Sequence, residues 1–226
     1  MARPTIALFD IDGTLIHCGG AGRNAMERTF ADMLGRADVG AFDYGGMTDR
    51  AIVRQASRNA GRADDEATLD ALLASYLRHL EAGLDNDRYR VLPGVIALLD
   101  GLMAHPHVAV GLGTGNLEPG ARLKLGRGNL WHRFSFGGYG SDHEDRGRLL
   151  AAGAARGAAK LGLERAHTIV IGDTPRDIAA GRAIGAEVIA VATGGSKADA
   201  LAHADLVVET LEDARVLARF SAGVPG

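Results

Sequence analysis

Short apolar runs, separated by longer amphipathic stretches, dominate the pattern of this chain. Five runs of four to six residues are rich in Ile, Val, Leu and Ala, and most are followed by Gly, Asp or Thr. Unbroken apolar strands that alternate with helices indicate a parallel sheet covered on both faces. The predicted strands are residues 5–9, 107–112, 168–171, 188–192 and 205–208, with a weaker sixth at 134–137. The predicted fold class is α/β with a doubly wound parallel sheet.

The spacing of the strands is uneven, because about 100 residues separate the first from the second. This stretch is too long for one crossover and has helical periodicity instead. Helices are predicted at residues 24–34, 49–60, 66–83 and 95–103. We therefore expect a catalytic core formed by residues 1–16 and 92–226, with an all-helical cap at 17–91 inserted after the first strand. The final residues, 221–226, are expected to form a tail.

Composition excludes several classes of protein. The chain has 25 Lys and Arg against 28 Asp and Glu, so its formal charge of −3 supplies no overall positive field for nucleic acid. No apolar run approaches the roughly 18 residues that a membrane span needs. A single cysteine, Cys18, excludes a disulfide framework and a zinc ribbon, and we expect it to be buried and inert. We expect a cytoplasmic protein without nucleic-acid or membrane partners.

Two carboxylates follow the first predicted strand directly, in the sequence Asp10-Ile11-Asp12-Gly13-Thr14. Like charges this close push their pKa values apart, so that one group stays ionised while the other carries a proton. An ionised Asp can attack phosphorus, and a protonated neighbour can protonate the departing oxygen. Gly13 permits a tight turn of the backbone and is a candidate phosphate contact. The alternative is an Asp-Gly turn with incidental charges.

A glycine-rich segment ends the second predicted strand, in the sequence Gly113-Thr114-Gly115-Asn116. The Thr114 hydroxyl, the backbone at Gly115 and the Asn116 side chain are candidate phosphate or substrate contacts, since amides and hydroxyls at a strand end can hold phosphate oxygens. A dinucleotide-binding fingerprint fails here, because its third glycine would fall on Asn116. The alternative is an ordinary glycine-rich turn.

Two further aspartates, Asp173 and Asp177, lie across the end of the third predicted strand and the start of a helix. Hard oxygen ligands near a phosphate site suit Mg²⁺. A structural alternative exists for Asp177, because Thr174 could be the N-cap of the helix, Pro175 its first residue and Asp177 the acid of a capping box.

The three motifs, in this order, resemble those of the haloacid dehalogenase superfamily of phosphotransferases. The phosphoglycolate-phosphatase-like branch, which has a helical cap, gives the nearest pattern. The resemblance implies that Asp10 is the nucleophile, Asp12 the acid and base, and Thr114 a phosphate ligand. It also implies that Asp173, Asp10 and the backbone carbonyl of Asp12 bind Mg²⁺, while Asp177 acts in the outer shell of the metal or holds a ligating water.

The chain departs from this family pattern at one position. The family usually has a lysine after its own third strand, on the loop that enters a helix. The corresponding residues of this chain, 141–149, follow the weak strand candidate at 134–137 and contain no lysine. We expect Arg146 to neutralise the nucleophile and the phosphate in its place, with Arg148 as the second candidate. Arginine is always charged and can bind phosphate through two donors. The alternative is a solvated cluster of charges at a helix start.

Residues 45–50 of the predicted cap resemble a family loop that faces the active site. Arg50 is therefore a candidate contact for an anionic substrate. The alternative is that Thr48 or Asp49 simply caps the next helix.

The favoured function is Mg²⁺-dependent hydrolysis of a small phosphorylated metabolite, a phosphate monoester, through an aspartyl-phosphate intermediate. A phosphomutase of the same superfamily is the first alternative. A protein that accepts or binds a phosphoryl group without turnover is the alternative from a different class.

Overall fold

The computed structural model describes residues 3–221 of the chain. Within them, the strands are β1 Thr5–Phe9, β2 Ile16–Cys18, β3 Tyr89–Val91, β4 Val108–Thr114, β5 Gly137–Tyr139, β6 His167–Gly172, β7 Glu187–Val191 and β8 Leu206–Val208. Six of these strands form a parallel sheet in the order β5-β4-β1-β6-β7-β8. The chain enters the sheet in the middle, fills one side first and then crosses β1 to fill the other. This topology confirms the predicted α/β doubly wound class.

The helices are α1 Ala21–Leu34, α2 Asp49–Asn59, α3 Glu66–Gly83, α4 Val95–Met103, α5 Glu118–Arg127, α6 Arg146–Lys160, α7 Pro175–Ala183, α8 Ala198–Leu201 and α9 Ala214–Ser221. Successive β1 side chains point to opposite faces of the sheet. Ile6 and Leu8 pack in the cluster that contains Leu149 of α6, whereas Phe9 packs in the cluster of the other face. Both faces of the sheet are thus buried, which explains the unbroken apolar strands.

Strand register decides where the polar side chains meet. Phe9, the last residue of β1, pairs with Leu112 of β4 on one side and with Ile171 of β6 on the other. The residues that follow Phe9 and Ile171, and those at the end of β4, therefore lie at one edge of the sheet. Ligands bind at this carboxyl edge in open α/β sheets, next to the strand where the order reverses.

Three helices, α1 to α3, lie between β2 and β3, where the sequence predicts a helical cap. The helix prediction is confirmed at residues 66–83, and α1 begins three residues before the predicted 24–34. β2 and β3 pair antiparallel and form a two-stranded ribbon, with Ile16 opposite Val91. This ribbon differs from the prediction, because no strand was expected in either segment. The predicted cap boundaries, residues 17 and 91, fall inside this ribbon.

The weak sixth strand also differs from its prediction. β5 occupies Gly137–Tyr139 rather than residues 134–137. Phe134 and Phe136 produced the apolar signal, but both side chains are buried just before the strand, with Phe134 edge-on to Phe9. Of the predicted tail, Ser221 ends α9 and residues 222–226 lie outside the described part of the chain. Within residues 3–221, no helix is long and apolar enough to cross a membrane.

Candidate active site

Three aspartates from different parts of the chain meet at the carboxyl edge of the sheet. Asp10 follows β1, Asp173 follows β6, and Asp177 lies in the first turn of α7. One carboxylate oxygen of each lies within 4.8 Å of the others, and all three side chains are buried. The structure thus brings together the three aspartates whose side chains were predicted at or near the metal.

The electrostatics of this group favour a cation. Burial, followed by the charges of Asp177 and Asp12, raises the pKa of Asp10 to about 6, although the charge of Arg146 opposes the shift. Burial, with the charges of Asp10 and Asp177, raises the pKa of Asp173 to about 8. The positive charge of Arg146 is therefore not enough to balance the three carboxylates when all of them are ionised. Hard carboxylate oxygens in this state fit a divalent cation such as Mg²⁺.

Arg146, the first residue of α6, lies against the nucleophile candidate. Its Nη2 atom is 3.1 Å from Oδ1 of Asp10 and also donates to Oδ1 of Asp177, and the side chain is buried. Its Nη1 atom donates to the carbonyl of Gly46 in the inserted segment at 3.2 Å. The neighbouring candidate, Arg148, is exposed and lies beside His143 instead. Arg146 therefore has the geometry expected of the missing family lysine, and Arg148 does not.

Asp177 makes the contacts of a capping box at the start of α7, which is the structural alternative to a role at the metal. Its Oδ2 atom accepts hydrogen bonds from the backbone N–H of Thr174 at 3.0 Å and from the Thr174 hydroxyl at 2.6 Å, while Thr174 in turn caps α7. Pro175 is the first residue of that helix. Asp177 thus closes a capping box and pairs with Arg146, so a role at the metal stays a prediction for this residue.

Asp12 turns away from the three-acid group. Its Oδ2 atom accepts hydrogen bonds from Nζ of Lys124 at 2.6 Å and from Nδ2 of Asn116 at 2.9 Å. Burial opposes ionisation, but the charge and hydrogen bond of Lys124 prevail and lower the pKa of Asp12. The pKa values of the two aspartates are thus pushed apart in the opposite sense to the one predicted, because the pKa of Asp10 is raised. The side chain of Asp12 is therefore outside the three-acid group, and the metal role that the family resemblance implies for this residue belongs to its backbone carbonyl.

Lys124 was missed by reasoning from the sequence. It lies in α5, a helix that carries none of the motifs, and its side chain is 5% exposed. One signal pointed to it, because the chain contains only three lysines and Lys124 stands between Leu123 and Leu125. Helical periodicity alone could not show that its ammonium group reaches the site.

The glycine-rich segment after β4 is held by the inserted helices. A Cβ atom at Gly115 would lie 2.3 Å from the carbonyl oxygen of Met47, so only glycine lets the two backbones approach. Thr114 is fully buried, and its Oγ1 atom accepts from Nδ2 of Asn116 at 2.9 Å. The Asn116 side chain thus contacts Asp12 and Thr114 rather than standing free. Gly13 turns with φ of 82° beside Asp173.

Two predicted contacts, Arg50 and Thr114, do not line the cavity above the acidic group. Thr114 is fully buried, and Arg50 forms ion pairs with Glu66 and Asp70 of α3. Thr48 caps α2 by accepting from the N–H of Ala51, which is the alternative given for this loop.

A cavity of about 1360 Å³ opens above the acidic group. Asp10, Asp12, Asp173 and Arg146 line its floor. Its walls come from α1, from the ribbon of β2 and β3, and from the loop before α2. The arrangement places the buried carboxylate of Asp10, the Arg146 guanidinium and the separate carboxylate of Asp12 around one solvent-accessible space, as expected for a site that transfers a phosphoryl group to an aspartate.

Comparisons with known proteins agree with this geometry. A family model described as haloacid dehalogenase-like hydrolase matches residues 4–185. The phosphoglycolate phosphatase of Rhodospirillum rubrum is 30% identical over 205 residues, which cover 86% of this chain and 82% of that protein.

Solved structures share the fold. A hydrolase from Pseudomonas syringae superposes with a TM-score of 0.73 at 21% identity, covering 97% of this chain and all of that one. A candidate β-phosphoglucomutase from Bacteroides vulgatus gives 0.70 at 18% identity, covering 97% and 91%. The chain belongs to the haloacid dehalogenase-like hydrolases, and it is a hydrolase of the phosphatase type.

Proposed function

We propose that the protein is a Mg²⁺-dependent phosphatase that hydrolyses a small phosphate monoester through an aspartyl-phosphate on Asp10. The observation that carries this proposal is the meeting of Asp10 with Asp173 and Arg146 on the floor of one cavity. A carboxylate that is buried, paired with a guanidinium and open to a ligand on one side is suited to attack phosphorus.

Asp10 supplies the nucleophile. An oxygen of its carboxylate bonds to phosphorus while the bond from phosphorus to the ester oxygen breaks. Arg146 lies 3.1 Å from Oδ1 of Asp10 and reduces the repulsion between this carboxylate and the approaching phosphate. Because Arg146 is buried and fixed by Asp177, it needs little reorganisation during the reaction.

Asp12 supplies and recovers the proton. Lys124 lowers the pKa of Asp12 in the unliganded protein, so Asp12 takes up its proton together with the substrate, whose negative phosphate raises the pKa of a nearby carboxyl group. The departing ester oxygen then takes this proton from Asp12, and in the second step the same carboxylate accepts a proton from the water that attacks the aspartyl-phosphate. Its side chain is 40% exposed and lines the cavity, so both a substrate and a water molecule have access to it.

Asp10 and Asp173 would hold Mg²⁺, together with the backbone carbonyl of Asp12. Asp177, whose oxygens already accept from Thr174 and Arg146, would act through a water molecule. When bound, the ion supplies positive charge that neutralises phosphate oxygens and favours ionised carboxylates.

The phosphate group would be held by Arg146 and by the backbone at Gly13 and Gly115. Thr114 is a proposed ligand as well, and its hydroxyl, whose oxygen accepts from Asn116, would have to donate its hydrogen to the phosphate. Thr114 ends β4 and Gly115 follows it directly, whereas Gly13 lies in the turn after β1 and Arg146 begins α6.

The substrate is a small phosphorylated metabolite, and the predicted compartment is the cytoplasm. Phosphoglycolate is the first compound to test, because the enzyme from R. rubrum is a phosphoglycolate phosphatase. The cavity of about 1360 Å³ exceeds the roughly 300–1,000 Å³ of ordinary ligand pockets, which supports testing larger sugar phosphates too.

The test is steady-state hydrolysis of phosphoglycolate, sugar phosphates and p-nitrophenyl phosphate, with and without Mg²⁺. We expect many turnovers per enzyme, dependence on Mg²⁺, and abolition by Asp10→Asn. Full activity of Asp10→Asn would contradict the proposal. Stable phosphorylation without turnover would favour the phospho-acceptor alternative. Conversion of a sugar phosphate to its isomer without release of phosphate would favour the phosphomutase, whose sugar the large cavity could also hold.

A further inference from the structure

Lys124, Asn116 and Asp12 form a closed triangle of hydrogen bonds. Nζ of Lys124 donates to Oδ2 of Asp12 and to Oδ1 of Asn116, both at 2.6 Å. Nδ2 of Asn116 completes the triangle by donating to the same Oδ2 atom of Asp12 at 2.9 Å. Because an ammonium group only donates, Lys124 also fixes which end of the Asn116 amide faces Asp12.

The triangle treats the two oxygens of Asp12 differently. Oδ2 accepts from two nitrogen donors, whereas Oδ1 accepts from the weak thiol donor of Cys18 at 3.4 Å. The Lys124 side chain is 5% exposed and that of Asp12 is 40% exposed. The ammonium group of Lys124 that binds Oδ2 is therefore buried, whereas the Asp12 side chain, which carries Oδ1, lines the cavity.

A role of Lys124 in charge neutralisation at the nucleophile does not fit these contacts. Arg146 is the cation paired with Asp10, and Lys124 pairs with Asp12. Stability alone does not account for the pair either, because replacing a buried ion pair by apolar groups is often neutral for stability. Because both nitrogen donors bind the same oxygen of Asp12, their contacts fix the orientation of its carboxyl group.

We propose that Lys124, together with Asn116, is a positioning residue that anchors Oδ2 of Asp12 so that Oδ1 carries the proton to the ester oxygen. The inference rests on the proposed phosphatase function. As the bond from phosphorus to the ester oxygen breaks, its electron pair stays on that oxygen and takes the proton from Oδ1. Oδ2 keeps its hydrogen bond to Lys124 throughout, so the acid does not rotate away.

The experiment compares esters that differ in their need for a proton. Phenyl phosphate has a poor leaving group and p-nitrophenyl phosphate a good one, and kcat/KM reports the step that forms the aspartyl-phosphate. For Lys124→Met we expect kcat/KM to fall about 100-fold on phenyl phosphate, the scale of general acid catalysis, and about tenfold or less on p-nitrophenyl phosphate. Lys160→Met, which removes an exposed lysine at the end of α6, is the matched control and should keep the wild-type values.

Asn116→Ala provides a second variant, because it removes the other nitrogen donor to Oδ2 and leaves the lysine. It should show the same preference for the good leaving group, even if Lys124→Met does not fold. Equal losses on both esters, or no loss, in the variants that fold would overturn the positioning role.

Failure of the proposed function has a different signature. A wild-type enzyme that hydrolyses neither ester, or an Asp10→Asn variant with full turnover, would contradict the phosphatase and this inference together. An active wild type whose Lys124 and Asn116 variants lack leaving-group selectivity would contradict the inference alone.

Discussion

Gly194 lies directly against the carboxylate of Asp173, so a single methyl group at this position tests whether that carboxylate must stay in place. A Cβ atom built at Gly194 would be 1.6 Å from Oδ2 of Asp173. Real Cβ atoms essentially never approach closer than 3.0 Å, so the carboxylate or the loop must retreat by about 1.4 Å, the difference between the two distances. The backbone at Gly194 is not in the left-handed region, so Gly194→Ala adds a clash without backbone strain.

A displacement of this size is large for a catalytic site, where a misplacement of about 1 Å can cost about 100-fold in rate. We expect Gly194→Ala to lower kcat/KM for p-nitrophenyl phosphate by about that factor. The Mg²⁺ concentration that gives half-maximal activity should rise by about tenfold or more, because Asp173 is a proposed ligand.

The assay is a series of initial rates over a range of Mg²⁺ concentrations, with thermal unfolding measured in parallel. Gly126→Ala is the matched control, because no atom lies within 4 Å of its added Cβ and the residue is exposed in α5. The control should keep the wild-type rate and unfold at the same or a slightly higher temperature. A folded Gly194→Ala protein with wild-type rates and an unchanged Mg²⁺ requirement would refute the role given to Asp173.

Three further predictions concern single side chains. Arg146→Met should lower kcat/KM for p-nitrophenyl phosphate about 100- to 1,000-fold, with partial recovery in Arg146→Lys; equal rates for the two variants would contradict a role for the charge. Burial raises the pKa of Asp49 to about 6 from 3.8, so its ionisation costs stability as pH rises through this interval. Chemical denaturation should therefore show Asp49→Asn gaining up to about 3 kcal/mol over wild type between pH 3.5 and 7, and a pH-independent difference would contradict the burial cost. Burial, with the charge of Asp12, raises the pKa of the Cys18 thiol, so iodoacetamide should alkylate it slowly until the protein is unfolded, and rapid labelling of folded protein would contradict this.

Asp49 connects the start of α2 to the loop after β4. Its backbone N–H donates to the carbonyl of Gly115 at 2.8 Å, and its Oδ2 atom accepts from the N–H of Leu117 at 2.9 Å. The start of α2 thus holds the loop that carries Asn116. Asparagine at position 49 can still accept through its own oxygen, which is why the substitution tests charge rather than contact.

The fold and most of the acidic site could be predicted because both depend on local pattern. Strands such as β1 are short apolar runs, and polar residues directly after parallel strands must meet at one edge of the sheet. Asp10 and Asp173 follow this rule, and the structure brings them together. The sequence favoured Arg146 over Arg148 but could not decide between them. The two residues point in different directions from α6, and only the structure shows that Arg146 is buried and Arg148 is exposed.

The rest depended on contacts that sequence patterns do not encode. β2 and β3 are three residues each, too short for an alternation signal, and they exist because they pair with one another. Lys124 reaches Asp12 across 112 positions of sequence. Arg50 has the residue type expected of a substrate contact, but the acids of α3 determine its direction.

The claim on which the account depends most is that Asp10 becomes covalently phosphorylated. Its direct test is an acid quench of the wild-type enzyme during turnover, followed by mass spectrometry of its peptides. We expect one phosphoryl group on the peptide that contains Asp10, and none on that peptide in Asp10→Asn. Steady turnover with no phosphoryl group on Asp10 at any quench time, or with the group on another residue, would contradict the account.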